Sequence, residues 1–235
     1  MGVIMPFANG KGGVGKSTLA CSYAVEAAKA GVGVVIADLN DEQHTAATWA
    51  ATRHKNGYKP DIEVEVAQPR RVLDLARRCE LLIVDTPSWT NANNVALARL
   101  ASFVVVPTGP QVSPEIMPTI QLLRALSAAL PSWQVGVALT RFNANVAEGE
   151  EKLARAVLAK AGYSALAGVV RQVPSFGLAF AEGHGLSETS RETLNKEALE
   201  LLSAIAGGLD AACERLVQER EQSETLEPER GGLER

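Results

Sequence analysis

The sequence predicts an α/β fold, a single doubly wound, mainly parallel β-sheet flanked by helices. Three observations predict it. Apolar runs of strand length recur at 3–8, 32–37, 81–84, 103–106 and 135–139, and stretches with helical spacing separate them. Alternation of this kind builds a parallel sheet with helices on both faces. The runs are apolar throughout instead of alternating, as in strands buried on both sides. Polar residues follow them directly, where ligands bind in doubly wound sheets. The 235 residues suffice for one large α/β domain. No internal repeat or boundary divides it, so the domain is expected to span 1–221, followed by a charged, disordered tail over 222–235.

Taken in order, the strand at 3–8 leads into a glycine-rich loop, and a helix is expected over 17–30, ended by Gly31. After the second strand comes a helix over 45–54, then a loop punctuated by Asn-Gly and Lys-Pro. Ile62, Val64 and Val66 alternate with acidic residues, the pattern of a strand nearer an edge. The stretch 69–78 reads as a helix with Pro69 near its start, with Val72, Leu73 and Ala76 inward and Arg70, Arg71, Arg77 and Arg78 solvated. A polar turn over 89–94 precedes a short helix at 95–100, and Pro107 closes the strand at 103–106. Ser113 and Pro114 have the look of an N-cap and first helical position, for a helix to about Leu130 bent at Pro118. Further helices are expected at 148–161, stopped by Gly162, and at 175–182, with a strand at 166–170 between them. A helix over 191–221 closes the domain on a stripe of Leu194, Ala198, Leu201, Leu202, Ile205 and Leu209. Gly207-Gly208 should weaken or break it.

Composition excludes several classes. Hydrophobic content is 46%, ordinary for a globular protein, and no apolar run reaches membrane-span length. The N-terminus enters a strand at once, which leaves no room for a signal peptide. Cys21, Cys79 and Cys213 form no C-x-x-C pair and read as thiols of a reducing, cytoplasmic compartment. The net charge of −4 resides in the segment from Asp210 to Arg235, with eight acidic and four basic residues. The body is therefore close to neutral, so any nucleic-acid binding needs a local basic patch.

The densest chemistry lies between Gly10 and Thr18, Gly-Lys-Gly-Gly-Val-Gly-Lys-Ser-Thr. It fits the phosphate-binding template G-x-x-x-x-G-K-[ST], with Gly10, Gly15, Lys16 and Ser17 at the fixed positions. Gly12 and Gly13, just before Val14, let backbone N–H groups approach phosphate oxygens. Lys16 supplies positive charge, and the Ser17 hydroxyl suits Mg²⁺. The helix that follows aims its positive end at the same anion. Lys11 is a second lysine that the template does not require. Asp85, after Leu-Leu-Ile-Val, is placed to hold Mg²⁺ directly or through water. Asp38 at the second strand end either orients Mg²⁺-bound water or caps the next helix.

These motifs together resemble the ParA/MinD family of deviant Walker A ATPases. The residues that carry the likeness are Lys11 within Lys-Gly-Gly-Val-Gly-Lys-Ser-Thr, the strand ending Asp38-x-x-x-x-Gln43, Ile-Val-Asp85-Thr-Pro, Val-Pro107-Thr-Gly-Pro, and the run from Val173-Pro174 through Ala181-Glu-Gly183 to Glu188. The likeness covers roughly residues 2–205 and is closest to short ParA-type partition or cargo-positioning proteins. It implies a P-loop NTPase fold with ATP and Mg²⁺ as cofactors, and a homodimer closed around two ATP molecules. Lys11 would then reach the partner's phosphates in trans, as an arginine finger does. Thr140, Arg141 and Pro174, in the loops after two strands, would contact or pack against adenine. One position departs from the family's Asp-x-Asp-Pro-Gln: Asn40 stands at the second acidic place, associated with orienting the attacking water. An amide holds water without taking its proton, so slow basal hydrolysis is expected unless Asp41 or Glu42 substitutes.

The iron–sulfur branches need cysteines that this chain lacks after Asp85, the tyrosine-kinase branch a tyrosine-rich tail, and the MinD branch a basic membrane helix. What remains is partition of plasmids or chromosomes, or positioning of other cargo over the nucleoid, with non-specific DNA and a ParB-like or other adaptor protein as partners and no membrane. Arg141, Lys152, Arg155, Lys160, Arg171, Arg191 and Lys196 are the candidate phosphate contacts on DNA. Two other classes stand beside it. One is an ATP-gated binding switch with little hydrolysis. The other is a small-molecule kinase or ligase, for which 89–94 offers neither histidine nor carboxylate.

Overall fold

The strands predicted from apolar runs assemble into one seven-stranded sheet in a computed structural model that describes residues 2–143 and 147–226. They are β1 (Val3–Phe7), β2 (Val34–Asp38), β3 (Glu63–Val66), β4 (Leu81–Asp85), β5 (Val104–Thr108), β6 (Val135–Asn143) and β7 (Val170–Gln172). The order across the sheet is β3-β2-β4-β1-β5-β6-β7, and every pairing between them is parallel. The helices are α1 (Lys16–Lys29), α2 (Thr45–Lys55), α3 (Val72–Ala76), α4 (Asn91–Ala98), α5 (Met117–Ser127), α6 (Ala147–Lys160), α7 (Pro174–Ala181) and α8 (Glu192–Leu226). No helix of the described residues is long and apolar enough to cross a membrane.

Successive side chains of a strand face opposite sides, and the core divides accordingly. Met5, Phe7, Ile36, Ile83 and Val105 pack with α1, α2 and α8. Ile4, Val35, Val84 and Val104 turn to the other face, toward α3, α4, α5 and α6. Both faces are covered, which is why the central runs are apolar without alternation.

Several elements depart from expectation for local reasons. Pro107 lies inside β5, where it was expected to end the strand. In a parallel strand, alternate residues address alternate neighbours. Val105 O accepts the Ala8 N–H, so Pro107 also faces the β1 side, beyond the end of β1, where no ladder partner is owed its missing N–H. The helix expected over 69–78 is a 3₁₀ turn, Pro69–Arg71, followed by the short α3. Helix α4 starts at Asn91, four positions before the expected start, with Thr90 accepting the Asn93 N–H. Ser113 is not an N-cap. The chain enters a π-helical turn, Val112–Ile116, and Pro118 falls in the first turn of α5, where its missing N–H costs nothing. Strand β6 runs on to Asn143 through a bulge at Arg141, and β7 begins at Val170, where the expected strand ended.

The glycine pair does not break the last helix, which continues for 35 residues to Leu226. A Cβ on Gly208 would lie 2.6 Å from the Phe103 ring. That glycine lets α8 close onto the core, and the packing outweighs its low helix propensity. Of the stretch assigned to a tail, 222–226 continues α8 and 227–235 lies outside the described residues.

Arg53 ties α2 to the segment before α8. Its side chain is 1% exposed and donates to the Pro60, Lys59 and Gly183 carbonyls and to both Glu188 oxygens, at 2.6 and 3.1 Å. Burial pushes the Glu188 carboxyl up, but the bonds from Arg53, the Gly185 N–H and Lys29 outweigh it and hold it at about 2. A carboxylate held below its unfolded value stabilises the fold above that value and ceases to do so as pH falls through the folded one. Denaturant melts should therefore lose this contribution between about pH 4.5 and pH 2. Glu188→Gln strands a buried guanidinium and should cost about 3 kcal/mol at pH 7. A variant as stable as the wild type at pH 7 would refute the assignment.

Candidate nucleotide-binding site

The loop from Gly10 to Gly15 leaves the C-terminal end of β1 and turns into α1. Gly13 and Gly15 take φ of 72° and 86°, a left-handed conformation that side chains resist. No side chain caps α1, so its first N–H groups are left to an anion. The loop forms one wall of a cleft of about 990 Å³, a volume suited to a cofactor. Of the predicted residues, Gly12, Gly13, Gly15, Lys16, Ser17 and Thr18 line it from the loop side, and Asn40, Thr140, Arg141 and Pro174 from other elements. Gly10 and Lys11 stand exposed on the crest, outside the lining. Val14 is buried, its carbonyl accepting the Thr140 hydroxyl at 2.8 Å.

Lys16 is 8% exposed, and its Nζ donates to Lys11 O (3.2 Å) and Ser88 Oγ (3.4 Å). Burial lowers its pKa, and the nearby Asp85 charge opposes the shift. Asp85, 1% exposed, has no hydrogen-bond partner of good geometry on either carboxylate oxygen. Burial pushes its pKa up to about 7. The Ser17 hydroxyl beside it favours the ionised form, Asp38 disfavours it, and Lys16 favours it. A buried carboxylate with both oxygens orphaned, next to a serine hydroxyl, fits a divalent cation. Among the described residues no cluster of three His, Cys, Asp or Glu side chains could hold a metal, so Asp85 and Ser17 would hold Mg²⁺ together with phosphate oxygens and water.

For Asp38 the sequence left two roles open, and the geometry fits the cap. Its Oδ1 accepts the Asn40 N–H (3.1 Å), and its Oδ2 the N–H groups of Ala46 and Ala47 (3.0 and 3.2 Å), at the start of α2. Asn40 does line the cleft, but its Oδ1 accepts the Glu42 and Gln43 N–H groups and its Nδ2 donates to Gln43. Neither Asp41 nor Glu42 lines the cleft; Asp41 borders a separate groove beside Trp89.

The basic residues marked for DNA do not form one free patch. Arg155 is bound to Glu151 and to the Ala165, Leu166 and Gly168 carbonyls, Arg171 pairs with Glu197, and Lys196 with Glu192. Arg141 is held against Gly13 O at 2.7 Å. Lys152, Lys160 and Arg191 are exposed, with no side-chain partner among the described residues. Sequence reasoning missed Ser88, Asn143, Gln172, Phe176 and Phe180, which also line the cleft. Ser88 follows Asp85 by three residues and was within reach of motif reading. The two phenylalanines were not, because α7 is apolar nearly all round.

Asp85→Asn removes a buried charge that has no hydrogen-bond partner of good geometry. At pH 8 without nucleotide it should raise the melting midpoint by a few degrees, at about 2–4 °C per kcal/mol for a chain of this size. It should also abolish the gain in ADP affinity on adding Mg²⁺. Melting curves and titrations with fluorescent ADP test both; a variant that melts lower and still responds to Mg²⁺ would contradict the assignment.

Residues 6–186 match the model of the CobQ/CobB/MinD/ParA nucleotide binding domain family. No curated protein matched the chain. Among solved structures, apo McdA from Cyanothece superimposes with a TM-score of 0.67 at 14% identity, covering 87% of this chain and 99% of that one. The cell division ATPase MinD of Pyrococcus furiosus gives 0.66 at 18%, covering 88% and 99%. A putative plasmid partition protein of Borrelia burgdorferi B31, bound to AMPPNP, gives 0.63 at 17%, covering 88% and 99%. At these identities the likeness is one of fold. The family match spans the loop, Asp38, Asp85, Thr140 and Pro174 alike, and the chain belongs to the ParA/MinD family of P-loop ATPases, with ATP and Mg²⁺ as its cofactors.

Proposed function

We propose that this ATPase dimerises on binding ATP and positions or partitions a cargo, binding DNA non-specifically and working with an adaptor protein. The observation that supports this reading is the contrast between two lysines. Lys16 is buried beside Asp85 and serves its own site, whereas Lys11 is exposed on the loop crest and its side chain has no partner among the described residues. A cation so placed has a second protomer's phosphates as its natural target. The roles of the structural relatives, cell division and plasmid partition, agree with positioning. Lys152, Lys160 and Arg191 are the basic side chains best left for DNA, which would bind with steep salt dependence. Nucleoid association follows from DNA binding.

One observation favours a second reading, an ATP-gated switch with little hydrolysis. The Asn40 amide is held by backbone bonds and carries no charge with which to activate water. The two readings share the dimer and differ in turnover.

Sedimentation with and without ATP separates them from a monomeric enzyme. The wild type should dimerise with ATP, Lys11→Ala should bind ATP yet stay monomeric, and Lys16→Ala should lose nucleotide. DNA should be retarded by the ATP dimer alone, at low salt. Asn40→Asp should raise turnover several-fold; an equal or lower rate sinks the catalytic reading of Asn40. A wild type that binds ATP but remains monomeric sinks the proposal.

A further inference from the structure

The phosphate-binding loop is held by two arms that both lead back to Glu115. The first arm is Asn9, 1% exposed. Its Nδ2 donates to Pro107 O (2.7 Å) and to Thr119 Oγ1 (3.0 Å), and its Oδ1 accepts the Lys11 N–H (2.9 Å). Thr119 in turn donates to Glu115 O at 2.9 Å. The second arm is Arg141, whose Nη1 donates to Gly13 O at 2.7 Å and lies 3.4 Å from Glu115 Oε1. The other Glu115 oxygen accepts the Gln111 N–H at 3.0 Å.

Three unusual features converge on this second arm. Glu115 is a carboxylate only 6% exposed, in the π-helical turn Val112–Ile116. A Cβ at position 109 would come within 2.3 Å of its Oε2, so Gly109 leaves the room it occupies. Arg141 takes φ 62°, uncommon for a residue with a side chain, at the bulge in β6. π-turns and left-handed residues are costly and gather where function needs them. Neither Glu115 nor Asn9 lines the cleft, so any effect they have on the ligand passes through the loop or through Arg141.

We propose that Glu115 and Arg141 are positioning residues that preset the phosphate cradle. The peptide unit is planar, so fixing the Gly13 carbonyl toward Arg141 fixes the direction of the Val14 N–H. The Thr140 hydroxyl, donating to the Val14 carbonyl with the Thr108 carbonyl also in reach, fixes the Gly15 N–H in the same way. Two successive donors of the loop are thereby oriented before phosphate arrives, and their ordering is not charged against binding. Glu115 acts through Arg141, holding the guanidinium in the one place from which it reaches Gly13.

The inference rests on the loop's binding of nucleotide and on nothing said of dimerisation, DNA or turnover, so failure of those leaves it standing. Its test uses the full chain, fluorescent ADP with Mg²⁺, and inorganic tripolyphosphate as competitor. Glu115→Gln keeps the acceptor for Gln111 and removes the charge. It should weaken ADP and tripolyphosphate to the same extent, by about tenfold, with little change in the melting midpoint. Arg141→Ala should do the same, Arg141→Lys should restore part of the affinity, and Glu115→Gln added to Arg141→Ala should cost nothing further. Three results would overturn the proposal: a lower melting midpoint with unchanged affinity, losses that multiply in the double variant, or a loss confined to ADP, which would make Arg141 a contact to the base.

Discussion

In-register parallel pairing of β1, β4 and β2 sets Phe7, Asp85 and Asp38 in one row at the C-terminal edge of the sheet. The remaining features of the site depend on that row. The phosphate-binding loop departs just beyond Phe7, the Asp85 carboxylate faces it from the next strand, and the loop to α2 leaves from Asp38. A slip of one residue would turn each of these side chains to the other face of the sheet. The apolar faces of the same strands forbid it, since Met5, Ile36 and Ile83 pack on one side and Ile4, Val35 and Val84 on the other.

Placing charged groups at that edge has an electrostatic consequence. Lys16 and Asp85 are both removed from water, and burial works against the charge on each. They attract each other, yet Asp85 keeps two oxygens without a hydrogen-bond partner. A site in this condition is costly alone and is relieved by a cation with phosphate oxygens around it. The contrast with Arg53 and Glu188 is instructive. There the guanidinium is as deeply set, Glu188 is less so, and both are fully bonded, so the pair stabilises the fold without needing a ligand. The orphaned carboxylate marks the candidate binding site, and the satisfied ion pair marks the frame.

The frame also explains why a glycine-rich loop keeps its shape. Asn9, Thr140 and Arg141 hold three of its backbone positions, the first from just beyond β1 and the other two from β6 at its bulge, backed by the turn before α5. Freedom of the backbone, which glycine supplies, and restraint by side-chain bonds are therefore combined in one loop.

The amino-acid sequence by itself determined the fold class and singled out the loop, Lys11, Lys16, Ser17 and Asp85 as candidates, because apolar periodicity and the spacing of a motif are local properties of the chain. It placed Thr140, Arg141 and Pro174 beside the loop only through family likeness, and could not say what they touch. Boundaries failed where a long-range contact outweighed local preference, as at Gly208 against Phe103 and at Pro107 beyond the end of β1. The tertiary structure alone decided that Asp38 accepts the N–H groups of Ala46 and Ala47 at the start of α2, that Asp41 and Glu42 stand outside the cleft, and that most of the candidate DNA-binding arginines are already engaged. It alone brought Glu115 within reach of Arg141 across 26 positions. The physical reason is common to these cases: a hydrogen bond or a close packing contact depends on what the fold sets opposite a residue, and neither composition nor spacing encodes the partner.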